Sequence, residues 1–474
     1  MTAQSTATVG SSTINLVKTI IGAGLLAIPY AFAQDGILVG ILLTLLAAVT
    51  SGFGLFALAK CSKTLIDPRR SSFFTLCMLT YPRLSPLFDF AMIVQCFGVG
   101  LSYLVLMGDI FPGLFGGDRQ YWIVASAVII GPLCSLKKLD HLKYSSVLGL
   151  FALAYLAVLV LSMFVKDVIL TDNYKVVRGT ILWFEIYSGK GLLSTFSIII
   201  FAYVGAMNLF TIINELSDNN ITNISKIINR SIAISTVAFL SVGITGYLTF
   251  GSNTLGNIIL NYDPNSIWVN IGKFSLASML LLSFPLLFHP LRIACNNLVV
   301  WFEINFNEAQ PSSYYTSTFV NATNHSRTPI QLGDEEDQEG DNGEDAPLVS
   351  NRQPTADDVE IDDDLPGSIE QHSSFPDSRF YSITVGLLVV MYLIALRITS
   401  FALVLALVGA TGSTSISFIL PGLFGYKLIG SDSLAVGQMI SPRDRFYKKC
   451  SLALVWFGFA VMILSLYVTM VYGA

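Results

Sequence analysis

The sequence predicts an all-α polytopic membrane protein with about 11 transmembrane helices. Three observations predict it. Charged residues make up 12% of the chain and hydrophobic residues 53%, with a mean hydropathy of +0.64; a soluble domain needs roughly 25% charged residues to cover a solvated surface. Apolar runs of about 20 residues, the length that crosses a hydrocarbon core as helix, recur along the whole chain. Basic residues are also distributed unevenly between alternate loops. With a cytosolic N-terminus, the cytosolic loops hold 18 Lys and Arg, the opposite loops six and the spans three. That is the bias produced when cytosolic Lys and Arg resist translocation.

Taken in order, the apolar runs place spans at 13–33, 37–59, 87–111, 121–136, 144–165, 192–216, 231–250, 267–302, 380–396, 399–424 and 452–471. Lys60, Lys63, Arg69 and Arg70 follow the second span on the cytosolic side, and Lys137 and Lys138 follow the fourth, which is short. Arg119, Lys175 and Arg178 fall on the opposite face. The ninth and tenth spans are parted only by the turn around Arg397, while Arg443, Arg445, Lys448 and Lys449 precede the eleventh. The N-terminus has no basic region ahead of a cleavage site, so the first span is expected to be retained.

The formal net charge of −5 comes from one segment. Residues 331–371 hold 15 Asp and Glu and a single base, Arg352, which leaves 26 basic and 17 acidic residues elsewhere. The chain therefore divides into spans one to eight (1–302), an acidic cytosolic loop expected to be disordered (303–378) and spans nine to eleven (379–474). The loop has too few aliphatic side chains to offset the entropy of ordering. A solvated spacer and a regulatory or sorting segment both fit it. Sequons at Asn220, Asn223, Asn229, Asn321 and Asn324 all fall on the side assigned to the cytosol, where they stay unmodified. The six cysteines show no CxxC pair, and no His cluster has metal-ligand spacing, so no metal or cofactor is expected. Nothing points to nucleic acid. No nucleophile motif or paired catalytic carboxylates suggest an enzyme.

Chemistry concentrates in three spans. Gly22, Ala23 and Gly24 sit midway through the first, where helix propensity is weak. Backbone opened there is tolerated in lipid only if it faces protein or a water-filled cavity. Such a break presents the carbonyl end of one half-helix and the positive end of the other, the pair an amino-acid zwitterion needs. Close helix packing is the other use of this spacing. Lys18 lies within the same span, where a lysine costs roughly 3 kcal/mol. Asn15, Lys18, Thr19 and Gly22 share a helical face; snorkelling to the headgroups is the alternative for Lys18. In the eighth span Ser275, Ser278, His289 and Arg292 fall on one stripe. His289 suits either a proton-linked switch or a neutral buried role. Glu215 and Arg292, near cytosolic span ends, suit a gate pair or separate caps.

The first span together with Phe196–Asn208, Asn214-Glu215-Leu216, Gly246-Tyr247-Leu248-Thr249-Phe250-Gly251 and Ser283–Arg292 resembles the amino acid/auxin permease family, and within it the fungal vacuolar amino-acid transporters. The likeness covers nearly all of the chain except the acidic loop. It implies a LeuT-type fold, five spans repeated with inverted topology plus one extra helix, in which span six breaks as span one does. The substrate, a small molecule of the amino-acid class, would then lie between Thr19, Gly22, Ala23 and Gly24 on one side and Phe201, Ala202, Tyr203 and Gly205 on the other. Tyr203 or Phe201 would close over it. The family fold sets span eight beside span one, bringing Asn15, Ser275, Ser278 and His289 into an ion-coupling region around Lys18. In sodium-coupled animal members an asparagine at the position of Lys18 helps hold the ion, so lysine there implies protons, or no ion, in place of sodium. The resemblance implies secondary transport of amino acids at the vacuolar membrane, from lumen to cytosol. An amino-acid sensor at the same membrane and a plasma-membrane permease are the alternative readings. Which amino acids are carried, and the oligomeric state, are not fixed by the sequence.

Overall fold

The computed structural model describes residues 7–65, 67–136, 143–170, 178–184, 191–306, 377–431 and 439–472. The bulk of the acidic loop, including the 331–371 charge cluster, lies outside them. Among the described residues nine helices are long and apolar enough to cross a membrane, and a bent pair makes a tenth span. A further apolar helix, Arg119–Cys134, has 16 residues and so reaches about 24 Å. It occupies the expected short fourth span.

The helices run in chain order as follows. Span 1 comprises α1 (Val9–Ile20), a 3₁₀ turn (Ala23–Ala27) and α2 (Ile28–Asp35). Span 2 is α3 (Ile37–Ser62), and a short helix, α4 (Phe73–Thr80), precedes span 3, α5 (Ser85–Phe115). Spans 4 and 5 are α6 (Arg119–Cys134) and α7 (Lys143–Phe164). Span 6 is divided into α8 (Gly191–Ala202) and α9 (Ala206–Glu215). Spans 7, 8 and 9 are α10 (Ile221–Phe250), α11 (Ile267–Phe306) and α12 (Asp377–Arg397). Span 10 runs from α13 (Phe401–Val408) through two π-helical segments to α14 (Leu420–Leu428), and span 11 is α15 (Pro442–Tyr472).

Several helices outrun their apolar cores. Span 7 begins ten residues before the expected 231 because Asn220 caps it, its side chain accepting from the Thr222 N–H. Such a cap supplies one of the partners that the first turn lacks. Polar residues outside the bilayer extend a helix without a hydropathy signal, which also explains the early start of α15 and the run of α11 through Phe306. The α12/α13 division falls at Ile398–Ser400, next to Arg397 as expected.

Spans 6 and 10 are the most buried, and span 9 is the most exposed. Large apolar side chains on the outer faces of α3, α12 and α15, such as Leu42, Val385 and Trp456, are uncovered by protein, as lipid-facing positions must be. Span 10 can sit centrally because its neighbours approach through glycine. A Cβ on Gly409 would lie 2.0 Å from the Ser197 carbonyl oxygen, and one on Gly54 2.1 Å from that of Ser417. The two π segments, Gly409–Ser413 and Ser415–Ile419, carry these close contacts.

Candidate functional site

Both broken spans owe their shape to short-range chemistry. Thr8 and Ser11 cap α1 reciprocally, each side chain accepting from the other's backbone N–H. The helix stops at Ile20, Gly22 adopts extended backbone, and the chain resumes as a 3₁₀ turn at Ala23 with its axis bent by 47°. In span 6 the Tyr203 N–H is shared between the Ile199 and Ile200 carbonyls, and regular helix returns only after Gly205.

The two breaks lie against each other. A Cβ on Gly24 would come within 2.9 Å of both Cα and Cβ of Ala202, and one on Gly205 within 3.0 Å of the Ile20 side chain. The missing Cβ of Gly24 therefore admits the backbone of span 6, and that of Gly205 admits the Ile20 and Leu16 side chains of span 1. Gly22, Ala23, Gly24, Phe201, Ala202 and Gly205 are thus brought to one locus. The carbonyl ends of α1 and α8 and the N-terminal ends of the following segments meet there, offering partners for a cation and an anion.

Tyr203, beside the break, packs toward α10. It is fully buried, its hydroxyl donates to Thr236 Oγ1 at 2.8 Å, and its ring meets Phe239 edge-on at 4.9 Å. It is anchored to α10. Phe201 is nearly as buried, at 8% exposure. Thr19 bridges the two spans, accepting from Asn208 Nδ2 at 3.0 Å while donating to the Asn15 carbonyl. Sequence reasoning passed over Asn208, although it ends one of the family-like stretches.

On the side of the breaks nearer the N-terminus, Asn15 of α1 and Asn208, Thr211 and Glu215 of α9 are exposed. Lipid does not solvate such groups, so these faces border water. Beyond the breaks, residues 23–29 and 31–33 are buried. The arrangement is open toward the N-terminal face and shut toward the opposite one.

Lys18 is half-buried. Its stem passes Gly149 of α7 beside Met279 of α11: a Cβ on Gly149 would lie 3.5 Å from Lys18 Cε and 3.4 Å from Met279 Cγ. Spans 1, 5 and 8 therefore meet at this lysine. Ser275 lies one turn before Met279, half-buried. Ser278 lines another surface, a groove of about 230 Å³ with Phe111, Trp122 and Leu281, and its hydroxyl donates to the Phe274 carbonyl. His289 is half-buried one turn before Arg292.

Glu215 and Arg292 are not brought together. Glu215 is exposed at the end of α9. Arg292 is buried, donates to the Cys134 carbonyl at 3.0 Å and to Thr384 Oγ1 at 3.3 Å, and lies 3.8 Å over the Phe380 ring. It joins spans 4, 8 and 9. A helical pattern gives the face of a residue on its own helix but not the neighbour that face meets.

Comparison with known proteins gives the family and the fold. Residues 5–464 match the family model described as transmembrane amino acid transporter protein. The chain is 60% identical over 483 residues to vacuolar amino acid transporter 7 of Saccharomyces cerevisiae, covering 98% of each. It is 34% identical over 482 residues to vacuolar amino acid transporter 5 of the same yeast, covering 97% of each. Among solved structures it resembles MhsT in complex with L-phenylalanine, with a TM-score of 0.52 at 12% identity and 97% of each chain covered. It also resembles Mhp1, a nucleobase-cation-symport-1 family transporter, with a TM-score of 0.51 at 11% identity, covering 99% of this chain and 94% of that one. At such identities these likenesses establish the LeuT-type fold and nothing finer.

Proposed function

The chain belongs to the transmembrane amino acid transporter family, and from that premise we propose that it is a proton-driven secondary transporter exporting amino acids from the vacuolar lumen to the cytosol. The observation that carries this reading is the crossing of two helix breaks at Gly24 and Ala202. Four helix ends converge there, and a zwitterion needs both their signs. The substrate's ammonium takes carbonyls from the ends of α1 and α8, and its carboxylate takes N–H groups from the segments that follow. Because those partners address the backbone common to all amino acids, side-chain selectivity must come from other positions.

The vacuolar membrane follows from the two yeast relatives, which are named for it. With the N-terminus in the cytosol, the open side of the site faces the cytosol and the shut side the lumen. Protons in place of sodium follow from Lys18. An ammonium between α1, α7 and α11 already supplies a fixed positive charge where a bound cation would otherwise sit.

The test is efflux of a radiolabelled amino-acid mixture from acid-loaded vesicles containing the full chain, wild type beside Lys18→Asn. Expected is wild-type efflux that needs the proton gradient and ignores sodium, and a mutant that is inactive or sodium-sensitive. Unchanged mutant efflux discards Lys18 as the coupling-site cation. Absence of wild-type flux despite correct insertion removes the transport reading and favours an amino-acid sensor.

A further inference from the structure

Asp35, the last residue of α2, is 0% exposed. Its Oδ1 lies 2.7 Å from Thr195 Oγ1 on α8, while Oδ2 is buried with no hydrogen-bond partner among the described residues. The same threonine oxygen is 3.0 Å from the carbonyl oxygens of both Gly191 and Leu192. A hydroxyl with one hydrogen therefore faces three oxygens. A proton on Asp35 completes the chain: the carboxyl donates to Thr195, and Thr195 donates into its own helix. Without it, a full charge is buried against a single hydroxyl, and one hydroxyl does not offset that desolvation.

Among the described residues no counter-charge stands nearby. The titratable group facing Asp35 from its own helix is Tyr30. Among the described residues α8 contributes no ionisable side chain. From α10 comes Tyr247, with Arg178 beside it, and these lie beyond Leu182, whose N–H donates to the Tyr247 hydroxyl and whose carbonyl accepts from Ile37. That segment covers the turn after Asp35. Among the described residues no ion pair includes this carboxyl.

The position matters as much as the burial. Asp35 and Thr195 tie the half-helices on the shut side of the breaks, and Thr19 and Asn208 tie those on the open side. Only the first tie contains an ionisable group. We propose that Asp35 binds the coupling proton, received from the lumen and held against Thr195 while the lumenal half of the site is shut. In the loading step a hydronium ion gives its proton to a carboxylate oxygen, water departs, and the negative charge on Asp35 is discharged. Release to water reverses the same bond. Thr195 acts as a positioning residue. This inference rests on the proton-driven reading above.

The experiment uses the full chain in liposomes and a radiolabelled amino-acid mixture. It compares uptake driven by a pH gradient with exchange of labelled for unlabelled substrate at equal pH. Asp35→Asn is expected to lose gradient-driven accumulation and to keep exchange, which becomes insensitive to pH. Thr195→Val keeps the carboxyl and is expected to shift the pH of half-maximal driven uptake, with Thr195→Ser restoring it. Driven uptake that persists in Asp35→Asn overturns the proposal. So does loss of exchange together with uptake in a mutant inserted at the wild-type level, which would make Asp35 structural. Wild-type uptake that ignores the pH gradient sinks the proton-driven reading first. Should Asp35→Asn fail to insert, an unshifted pH profile in Thr195→Val would be the overturning result.

Discussion

At the scale of single residues, the site depends on what Gly24 lacks. A methyl there would press on both the backbone and the side chain of Ala202, so Gly24→Ala should insert normally yet lose most exchange activity. Adding Ala202→Gly removes one of the two collisions and should restore part of it, measured as the coupling in a double-mutant cycle. Equal activity in all four proteins would mean that the breaks need not touch. This locus was half legible in the sequence. Gly22 and Gly24 announce a break because glycine is a poor helix former at a depth where a helix is otherwise obligatory. Span 6 has no comparable glycine pair, and its break was inferred from the inverted repeat. The contact of Tyr203 with Thr236 was not legible, because an apolar helix gives no sign of which face meets a cavity and which meets α10. Asp35 escaped notice for another reason. An acid immediately before Gly36 reads as a loop residue, and only the segment that covers the turn makes it a buried group.

At the scale of elements, span boundaries followed hydropathy where apolar cores end in lipid, and drifted where polar helix continues into water. The π segments of span 10 had no sequence signal, since their cause lies in neighbouring spans. Gly409 and Gly54 face carbonyl oxygens of other helices, and backbone cannot yield as a side chain can. Gly409→Ala and Gly54→Ala should therefore each destabilise the protein by more than the about 1–3 kcal/mol typical of overpacking, read as a lowered melting temperature in detergent. Gly131 and Gly386, with nothing within 4 Å of an added Cβ, are the controls; Ala at either should be neutral or gain up to about 1 kcal/mol through helix propensity. A similar drop at all four positions would show a general sensitivity of glycine, with span 10 in no special place.

At the scale of the whole molecule, the open side of the site is organised around residues 214–219. Asn214 exchanges hydrogen bonds with Ser71, giving to its carbonyl and taking from its hydroxyl. The Ser217 N–H and hydroxyl both donate to the Ala7 carbonyl, the Ser217 carbonyl accepts from Arg69, and the Asn219 carbonyl accepts from Lys63 at 2.8 Å. The start of span 1, the loop after span 2 and the end of span 6 are thus fastened at one point. Ser231 of α10 adds a bond to the Thr13 carbonyl. Spans 4, 8 and 9 are joined separately through Arg292. Two groups fastened internally, the first holding both breaks, favour access that alternates by one group moving against the other. On that view α1 and α9 travel together. Ala7 and Leu216 form an isolated parallel bridge, so the pair Ala7→Cys and Leu216→Cys stands at cross-linking distance. Oxidation should form the disulfide and leave exchange close to the reduced value. Exchange lost on oxidation and regained with reductant would mean that α1 swings away from α9 alone during each cycle, and the group would then be divided at the Thr19–Asn208 bond.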